Sequence, residues 1–329
     1  MVEIYGTLGP SCGSADILEQ MLEQGMTGVR LNLSHVTLAE AEPMVEALEQ
    51  ASQRTGVRPR LLIDMQGPEI RVGVMNSPTH LIEGKNILLD QRGGIPLPKV
   101  ITDILKPGME LWMDDGKLRL EVFEARSGLR GRVLQGGVLH SRKSVAIPGF
   151  DIRLPALTET DRENLCAAKD YGVTGVMQPF VRGREDLETV RTALRESGCG
   201  DLRLFAKIEN RIGLNKLSEL LPACDEVVIA RGDLGNAVPL WELPRVQKEV
   251  AALCQAQRKP FMVVTQMLAS MEQNPVPTRA EVSDIFNAVL DGAASVMVTG
   301  ETAAGKHPVE VMHYLVKTAR EAEKYRKEG

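Results

Sequence analysis

The chain has 329 residues, 43% of them hydrophobic and 25% charged, with a formal net charge of -5 at pH 7. That balance describes a globular chain that buries a full core, long enough for one α/β barrel with an insertion or for two to three average domains. Aromatic residues make up only 4% and no basic stripe is present, so a nucleic-acid surface is not expected. No apolar run approaches the roughly 18–20 residues of a membrane span. The opening Met1-Val-Glu-Ile-Tyr-Gly-Thr runs into a strand-like segment without a signal-like stretch. Cys12, Cys166, Cys199, Cys224 and Cys254 are scattered, with no Cys-x-x-Cys pair. Together these features lead us to expect a cytoplasmic protein without a disulfide framework or zinc site.

In chain order, the pattern predicts a strand over 4–8 and a helix over 15–24 that Gly25 ends. An alternating stretch over 29–34 follows, then a helix over 38–55 and a strand over 60–64. From Gly73 to Ala146 the helical period disappears. Glycines, a turn at Asp114-Asp115-Gly116 and alternation from Leu118 onward predict a small all-β module, placed between a strand and the helix that should follow it. The βα rhythm resumes at Gly149, where Thr158, Thr160 and Asp161 act as start residues for a helix over 163–171. Strands are predicted over 174–178, from Leu204, from Val227, over 261–265 and over 294–298. The helices between and after them fall over 183–197, 212–221, 243–258, 278–291 and 309–327. Eight strands, each eventually followed by a helix, and no Gly-rich dinucleotide fingerprint predict a closed (β/α)8 TIM barrel. The expected domains are the barrel over 1–72 and 147–329 and an inserted β lid over 73–146.

Two of the predicted strands end abruptly in charge: Lys207 and Glu209 on one, Arg231 and Asp233 on the other. A parallel strand delivers such residues to a ligand at its carboxyl end. Two carboxylates placed there could share a hard divalent cation or could fill a structural ion-pair network. Thr7, Arg30, Asn32, Ser34, His35, Asp64, Gln178, Gly232, Thr265, Gln266, Thr299 and Glu301 fall at the same predicted strand ends, which favours a functional cleft. Arg30, Arg71 and Lys207 with Asp64, Glu209 and Asp233 suit a phosphorylated or doubly anionic substrate, since phosphoryl transfer needs mainly positioning and electrostatic clamping.

The motifs Arg-Leu-Asn-Leu-Ser-His at 30–35, Asp-Met-Gln-Gly-Pro-Glu-Ile-Arg at 64–71, Asp-Asp-Gly at 114–116 and Ser-Arg-Lys-Ser-Val-Ala-Ile-Pro-Gly at 141–149 resemble those of pyruvate kinase. So do Lys-Ile-Glu-Asn at 207–210, Ala-Arg-Gly-Asp-Leu-Gly at 230–235, Thr-Gln-Met-Leu at 265–268, Pro-Thr-Arg-Ala-Glu at 277–281 and Thr-Gly-Glu-Thr-Ala at 299–303. The resemblance covers nearly the whole chain. It implies phosphoryl transfer from phosphoenolpyruvate to ADP, giving pyruvate and ATP in glycolysis, with Mg2+ or Mn2+ and K+ as cofactors. Glu209 and Asp233 would hold the divalent ion, and Lys207 would stabilise the phosphoryl group in flight. Arg30 would contact that phosphate. The backbone amides of Gly232 and Asp233, with Thr265, would hold the enolpyruvate carboxylate, and Thr265 would also relay a proton to carbon. Asn32, Ser34, Asp64 and the Met65 carbonyl would cradle K+, with Glu69 marking K+ dependence. His35, Arg71, Lys143 and Asn32 would face the nucleotide. The helix carrying Arg279 and Asp284 would join barrel to barrel in a homodimer.

Several positions depart from the family pattern: Val36 for Gly, Met65-Gln66 for Thr-Lys, Pro179 for Ser, Ser144 for Gly and Ala146 for Asn. Most lie on the nucleotide and lid side. The family's C-terminal regulatory domain has no counterpart in the sequence, so hyperbolic kinetics without sugar-phosphate control are expected. Two alternatives stay open: a lyase, aldol or decarboxylase reaction in the same metal and enolpyruvate pocket, and a ligand-binding protein without catalysis. His80, His140, His307 and His313 lack metal-ligand spacing, Glu301 reads as a structural acid, and Cys12 has no evident base to activate it.

Overall fold

The computed structural model describes residues 1–34, 36–90, 94–114, 116–125, 128–148 and 154–328. Strands β1 (Glu3–Thr7), β2 (Gly28–Asn32) and β3 (Arg60–Asp64) open the first unit. Among the described residues, the strands of a second unit follow: β4 (Thr79–Leu81), β5 (Asn86–Leu88), β6 (Glu110–Met113), β7 (Leu118–Ala125), β8 (Gly128–Gln135), β9 (Gly137–Leu139) and β10 (Val145–Ala146). The first unit then continues with β11 (Gly175–Gln178), β12 (Arg203–Ile208), β13 (Glu226–Ala230), β14 (Phe261–Val264) and β15 (Ser295–Met297).

Eight parallel strands close a barrel in the order β1-β15-β14-β13-β12-β11-β3-β2, interleaved with helices, the arrangement of a (β/α)8 TIM barrel. The strands are short and almost wholly apolar because both faces are covered. Alternation sorts them. Tyr5, Leu62, Met177, Phe205, Val228, Ala230, Met262, Val264 and Met297 fill the barrel interior as a cluster of their own. Their neighbours Ile4, Val29, Ile63, Val176, Leu204, Ala206, Val227, Ile229, Val263 and Val296 pack outward in the core shared with the helices. The period of two then decides what emerges at the carboxyl end. Lys207 and Glu209 continue the inward row of Phe205, and Asp64 continues that of Leu62.

Helix boundaries follow local chemistry. The helix expected over 163–171 instead spans Glu159–Ala167, because Thr158 and Asp161 form a reciprocal capping box at its start. A second box, Thr278 with Glu281, opens Arg279–Leu290. The helix expected over 38–55 begins only at Glu42; residues 38–41 turn, with the Leu38 N–H donated to Asn164 Oδ1 at 2.9 Å. The expected helix over 212–221 breaks into Arg211–Asn215, Leu217–Leu220 and a 3-10 turn Leu221–Ala223, a segment that contains Gly213 and Pro222. Arg231–Ala237 and Gly300–Ala303 are short helices directly after β13 and β15. Among the described residues no helix is long and apolar enough to cross a membrane.

The chain divides into Met1–Gly67 with Pro155–Gly329, and Pro68–Leu154. The second unit is an antiparallel sheet in the order β10-β6-β7-β8-β5 with a two-stranded ribbon β4-β9. Its described residues also include a four-residue helix, Lys99–Thr102, so it is not wholly β. Its own core includes Ile95, Ile101, Leu111, Met113, Leu120 and Val122. Residues 70–72 pair with 143–145 inside this unit: Val145 N–H donates to Ile70 O at 2.7 Å and Val72 N–H to Lys143 O at 2.8 Å. That pairing carries the division to Pro68 rather than Gly73.

Candidate active site

At the carboxyl end of the barrel, Lys207 lies among carboxylates. Its Nζ donates to Asp64 Oδ2 at 3.0 Å and Oδ1 at 3.2 Å, and stands 3.0 Å from Glu209 Oε1. Arg30, from β2, grips the same Asp64 through Nε at 2.8 Å and Nη2 at 2.6 Å. Asp64 and Glu209 are 2% and 3% exposed, so these charges face each other out of water. Burial alone would lower the Lys207 pKa, but Asp64 and Glu209 outweigh it and hold the ammonium above its ordinary value. Burial alone would likewise raise Asp64, yet Lys207 and Arg30 keep its carboxyl below the usual range. Asp233, half-buried in the first turn of Arg231–Ala237, adds to the field that favours the Lys207 charge.

Glu209 has two unlike oxygens. Oε2 accepts the Phe180 N–H at 2.8 Å; Oε1 is buried and makes no hydrogen bond. A carboxylate oxygen whose partner is the Lys207 ammonium 3.0 Å away, with no hydrogen bond to hold it, is a candidate ligand for a hard cation, and Glu209 with Asp233 has the donor chemistry for Mg2+ or Mn2+. Among the described residues no three His, Cys, Asp or Glu side chains form a complete metal cage. A two-carboxylate site that leaves positions for water and substrate oxygens is compatible with that.

The β13–β14 edge is braced internally. Arg231 Nη1 donates to both oxygens of Asp284 at 2.8 and 2.7 Å, and its Nε and Nη2 donate to Thr265 O at 3.2 and 2.7 Å. It therefore supports the rim and is committed to neighbours of its own chain. Asp284, on the helix expected to join subunits, is its partner. Thr265 and Gln266 take φ values of +76° and +54°, a conformation costing about 1–3 kcal/mol per non-glycine residue that clusters at functional sites. Thr265 Oγ1 donates to Val264 O at 2.6 Å and accepts the Gly232 N–H at 2.8 Å.

On the neighbouring side, Asn32 and Asp64 are register partners on β2 and β3. Asn32 Oδ1 accepts the Ser34 N–H at 3.2 Å, and the Met65 N–H donates to Met177 O at 3.1 Å. Asn32, Ser34, Asp64 and Met65 thus come together at one corner of the rim. Arg71 and Lys143 belong to the second unit. There Arg71 pairs with Glu69 and donates to Arg142 O at 2.7 Å, while Lys143 pairs with Asp114 at 2.8 Å. His35, like Asp115 and Gly149 of the motifs, lies outside the described residues.

Some groups are structural. Glu301 is 1% exposed and accepts the N–H groups of Thr299 at 2.6 Å and Leu268 at 3.2 Å. Cys12 is buried and its thiol is pushed up to about 11 by that burial, which makes it inert at neutral pH. Two contributors were not legible as site residues. The Phe180 backbone amide leaves no mark in a sequence. Asp161 read only as a helix start, and the Thr158-x-x-Asp161 spacing was its one signal.

The family model "Pyruvate kinase, barrel domain" matches residues 1–312. The chain belongs to the pyruvate kinase family. It is 39% identical over 327 residues to the pyruvate kinase of Aeropyrum pernix, an alignment covering 98% of this chain and 71% of that protein. It is 37% identical to the pyruvate kinase of Geobacillus stearothermophilus, covering 98% and 58%. Against the pyruvate kinase of Bacillus licheniformis the identity is 35%, covering 99% and 58%. The chain therefore spans between 58% and 71% of the length of these relatives.

The amino end of this pyruvate kinase family barrel carries a second charged network. Glu226, fully buried, accepts from Ser295 and Arg203; Arg203 also holds Glu3 at 3.0 Å, and Arg60 reaches Glu3 at 3.0 Å. Burial pushes Glu226 up to about 7, with Ser295 and Arg203 offsetting only part of the effect.

Proposed function

We propose that the chain transfers the phosphoryl group of phosphoenolpyruvate to ADP, giving pyruvate and ATP, with Mg2+ (or Mn2+) and K+. The observation that carries this reading is Lys207 held between Asp64 and Glu209 at the carboxyl end of a pyruvate kinase family barrel. When bound, a divalent ion at Glu209 and Asp233 would supply a Lewis acid for the phosphoryl and enolate oxygens. Lys207 places a permanent positive charge where equatorial phosphoryl oxygens gain charge in the transition state, and Arg30 adds a second from β2. Both cations are already oriented by Asp64, so little reorganisation accompanies the reaction. The substrate carboxylate is received at the Gly232 and Asp233 amides, taking the place of the Thr265 hydroxyl on the Gly232 N–H. Thr265, freed in that exchange, faces the carbon that must be protonated. Asn32, Ser34, Asp64 and the Met65 carbonyl form the oxygen-rich corner for K+. The nucleotide contacts are assigned from the motifs to His35, Arg71, Lys143 and Asn32.

Initial rates of pyruvate formation from phosphoenolpyruvate, with and without ADP and under Mg2+ with K+ or Na+, test the proposal. ADP-dependent pyruvate supports it, and its absence under both salts counts against it. Pyruvate or oxaloacetate turnover without nucleotide would instead assign the pocket to lyase or decarboxylase chemistry.

A further inference from the structure

Three segments of the barrel meet behind the Glu209 carboxylate. The loop after β3 turns at Gly67, whose φ of +59° lies in the left-handed region. The Asp161 carboxylate, 0% exposed, holds that loop by its backbone: Gln66 N–H donates to Oδ1 at 2.8 Å and Gly67 N–H to Oδ2 at 3.0 Å. Gly67 packs directly on the ring of Pro179. A Cβ placed on Gly67 would lie 3.0 Å from Pro179 Cδ and closer still to Cγ. Gln178, on the other side of Pro179, is anchored through Nε2 to Ala156 O at 2.8 Å. Pro179 leads into Phe180, a non-glycine residue at φ +51°, and it is the Phe180 N–H that donates to Glu209 Oε2 at 2.8 Å.

We infer that Gly67, Pro179 and Asp161 are positioning residues that orient the Glu209 carboxylate for a divalent cation. The inference rests on the reading of Glu209 as a metal ligand. A left-handed φ at a residue such as Phe180 persists only where its surroundings over-determine it. Proline has one φ available, so pinning its ring also fixes its carbonyl carbon, and the bond from Phe180 to Glu209 completes the direction of the chain that follows. The clamp on Gly67 therefore fixes the direction of the Phe180 N–H. That bond in turn decides which oxygen of Glu209 is tied to backbone and which, paired with the Lys207 ammonium, is turned toward a cation. Groups that orient a ligand in this way typically contribute about 10–100-fold to metal affinity.

The test is Mn2+ binding to the full chain without substrate, read as free Mn2+ by electron paramagnetic resonance, with thermal melts to verify folding. Glu209→Gln comes first. Weaker Mn2+ binding supports the metal reading, and an unchanged Kd removes that reading and the inference with it. Given that result, Gly67→Ala should raise the Kd about tenfold or more. In a Pro179→Ala background the clash is removed while the cost of a left-handed alanine stays, so Gly67→Ala should raise the Kd clearly less there than beside Pro179. An unchanged Kd in Gly67→Ala, or the same loss in both backgrounds, overturns the inference while leaving Glu209 a ligand. If Gly67→Ala does not fold, Asp161→Asn reads the same clamp with side-chain volume kept. A Kd raised several-fold supports the inference, and an unchanged one overturns it.

Discussion

Lys207 and Asp64 face each other across the barrel mouth with Nζ 3.0 Å from Oδ2, both nearly excluded from water. The pair accounts for two properties at once: the lysine stays charged at any physiological pH, and its head group has a fixed place. A charge placed for the transition state contributes mainly there. Lys207→Met should therefore lower kcat by about 10²–10³-fold with little change in KM for phosphoenolpyruvate. Steady-state kinetics check it, and an unaltered kcat would remove Lys207 from phosphoryl transfer.

Asp64 is also the common partner of two buried cations. Asp64→Asn leaves Arg30 and Lys207 facing each other without a countercharge, and should cost about 3–5 kcal/mol of folding free energy in denaturant melts. The pH sign follows from the depressed carboxyl. Its contribution is present above the unfolded value near 3.8 and is lost as pH falls through the lower folded value, so Asp64→Asn should flatten the acid limb of the stability curve.

Glu226 has the opposite sign. Its folded value of about 7 stands above the ordinary 4.5, so the folded chain binds a proton that the unfolded chain has released. Its stabilising share is complete below about pH 4.5 and is lost as pH rises through about 7. Unfolding free energy should fall across that window by up to roughly 3 kcal/mol from this group, and Glu226→Gln should remove that slope. Equal slopes in both proteins would contradict the placement of Glu226.

Arg231 is a brace: Nη1 on both oxygens of Asp284, with Nε and Nη2 on Thr265 O, fixes the strained segment after β14. A lysine cannot reproduce that fork. Arg231→Lys should destabilise the protein by about 1–3 kcal/mol, with a fall in kcat through Thr265, measured by melts and kinetics on the same preparation.

The five thiols divide by burial, with Cys166 exposed and Cys12, Cys199, Cys224 and Cys254 buried. A disulfide reagent should titrate one equivalent in the folded protein and five in guanidinium. Rapid reaction of several thiols under native conditions would contradict the packing.

The barrel was readable because strands covered on both faces read as unbroken apolar runs, and because charge follows those runs abruptly at Lys207, Glu209 and Asp233. The limits were set by distance along the chain. Arg231 read only as a charge at a strand end, since its partner Asp284 is 53 residues away. Asp161 announced a helix start, while the same carboxylate holds backbone 94 residues earlier. The Phe180 amide carries no side-chain signature at all. The helix expected over 212–221 failed for a local reason, Gly213 within its span and Pro222 directly after it, which the apolar period outweighed.

The central claim concerns the fate of the phosphoryl group, and 31P NMR of phosphoenolpyruvate and ADP with the protein, Mg2+ and K+ follows it directly. The account predicts that the phosphoenolpyruvate resonance is lost as the γ-phosphate of ATP appears in equal amount, and that Lys207→Met slows both together. Loss of phosphoenolpyruvate with inorganic phosphate and no ATP would contradict it.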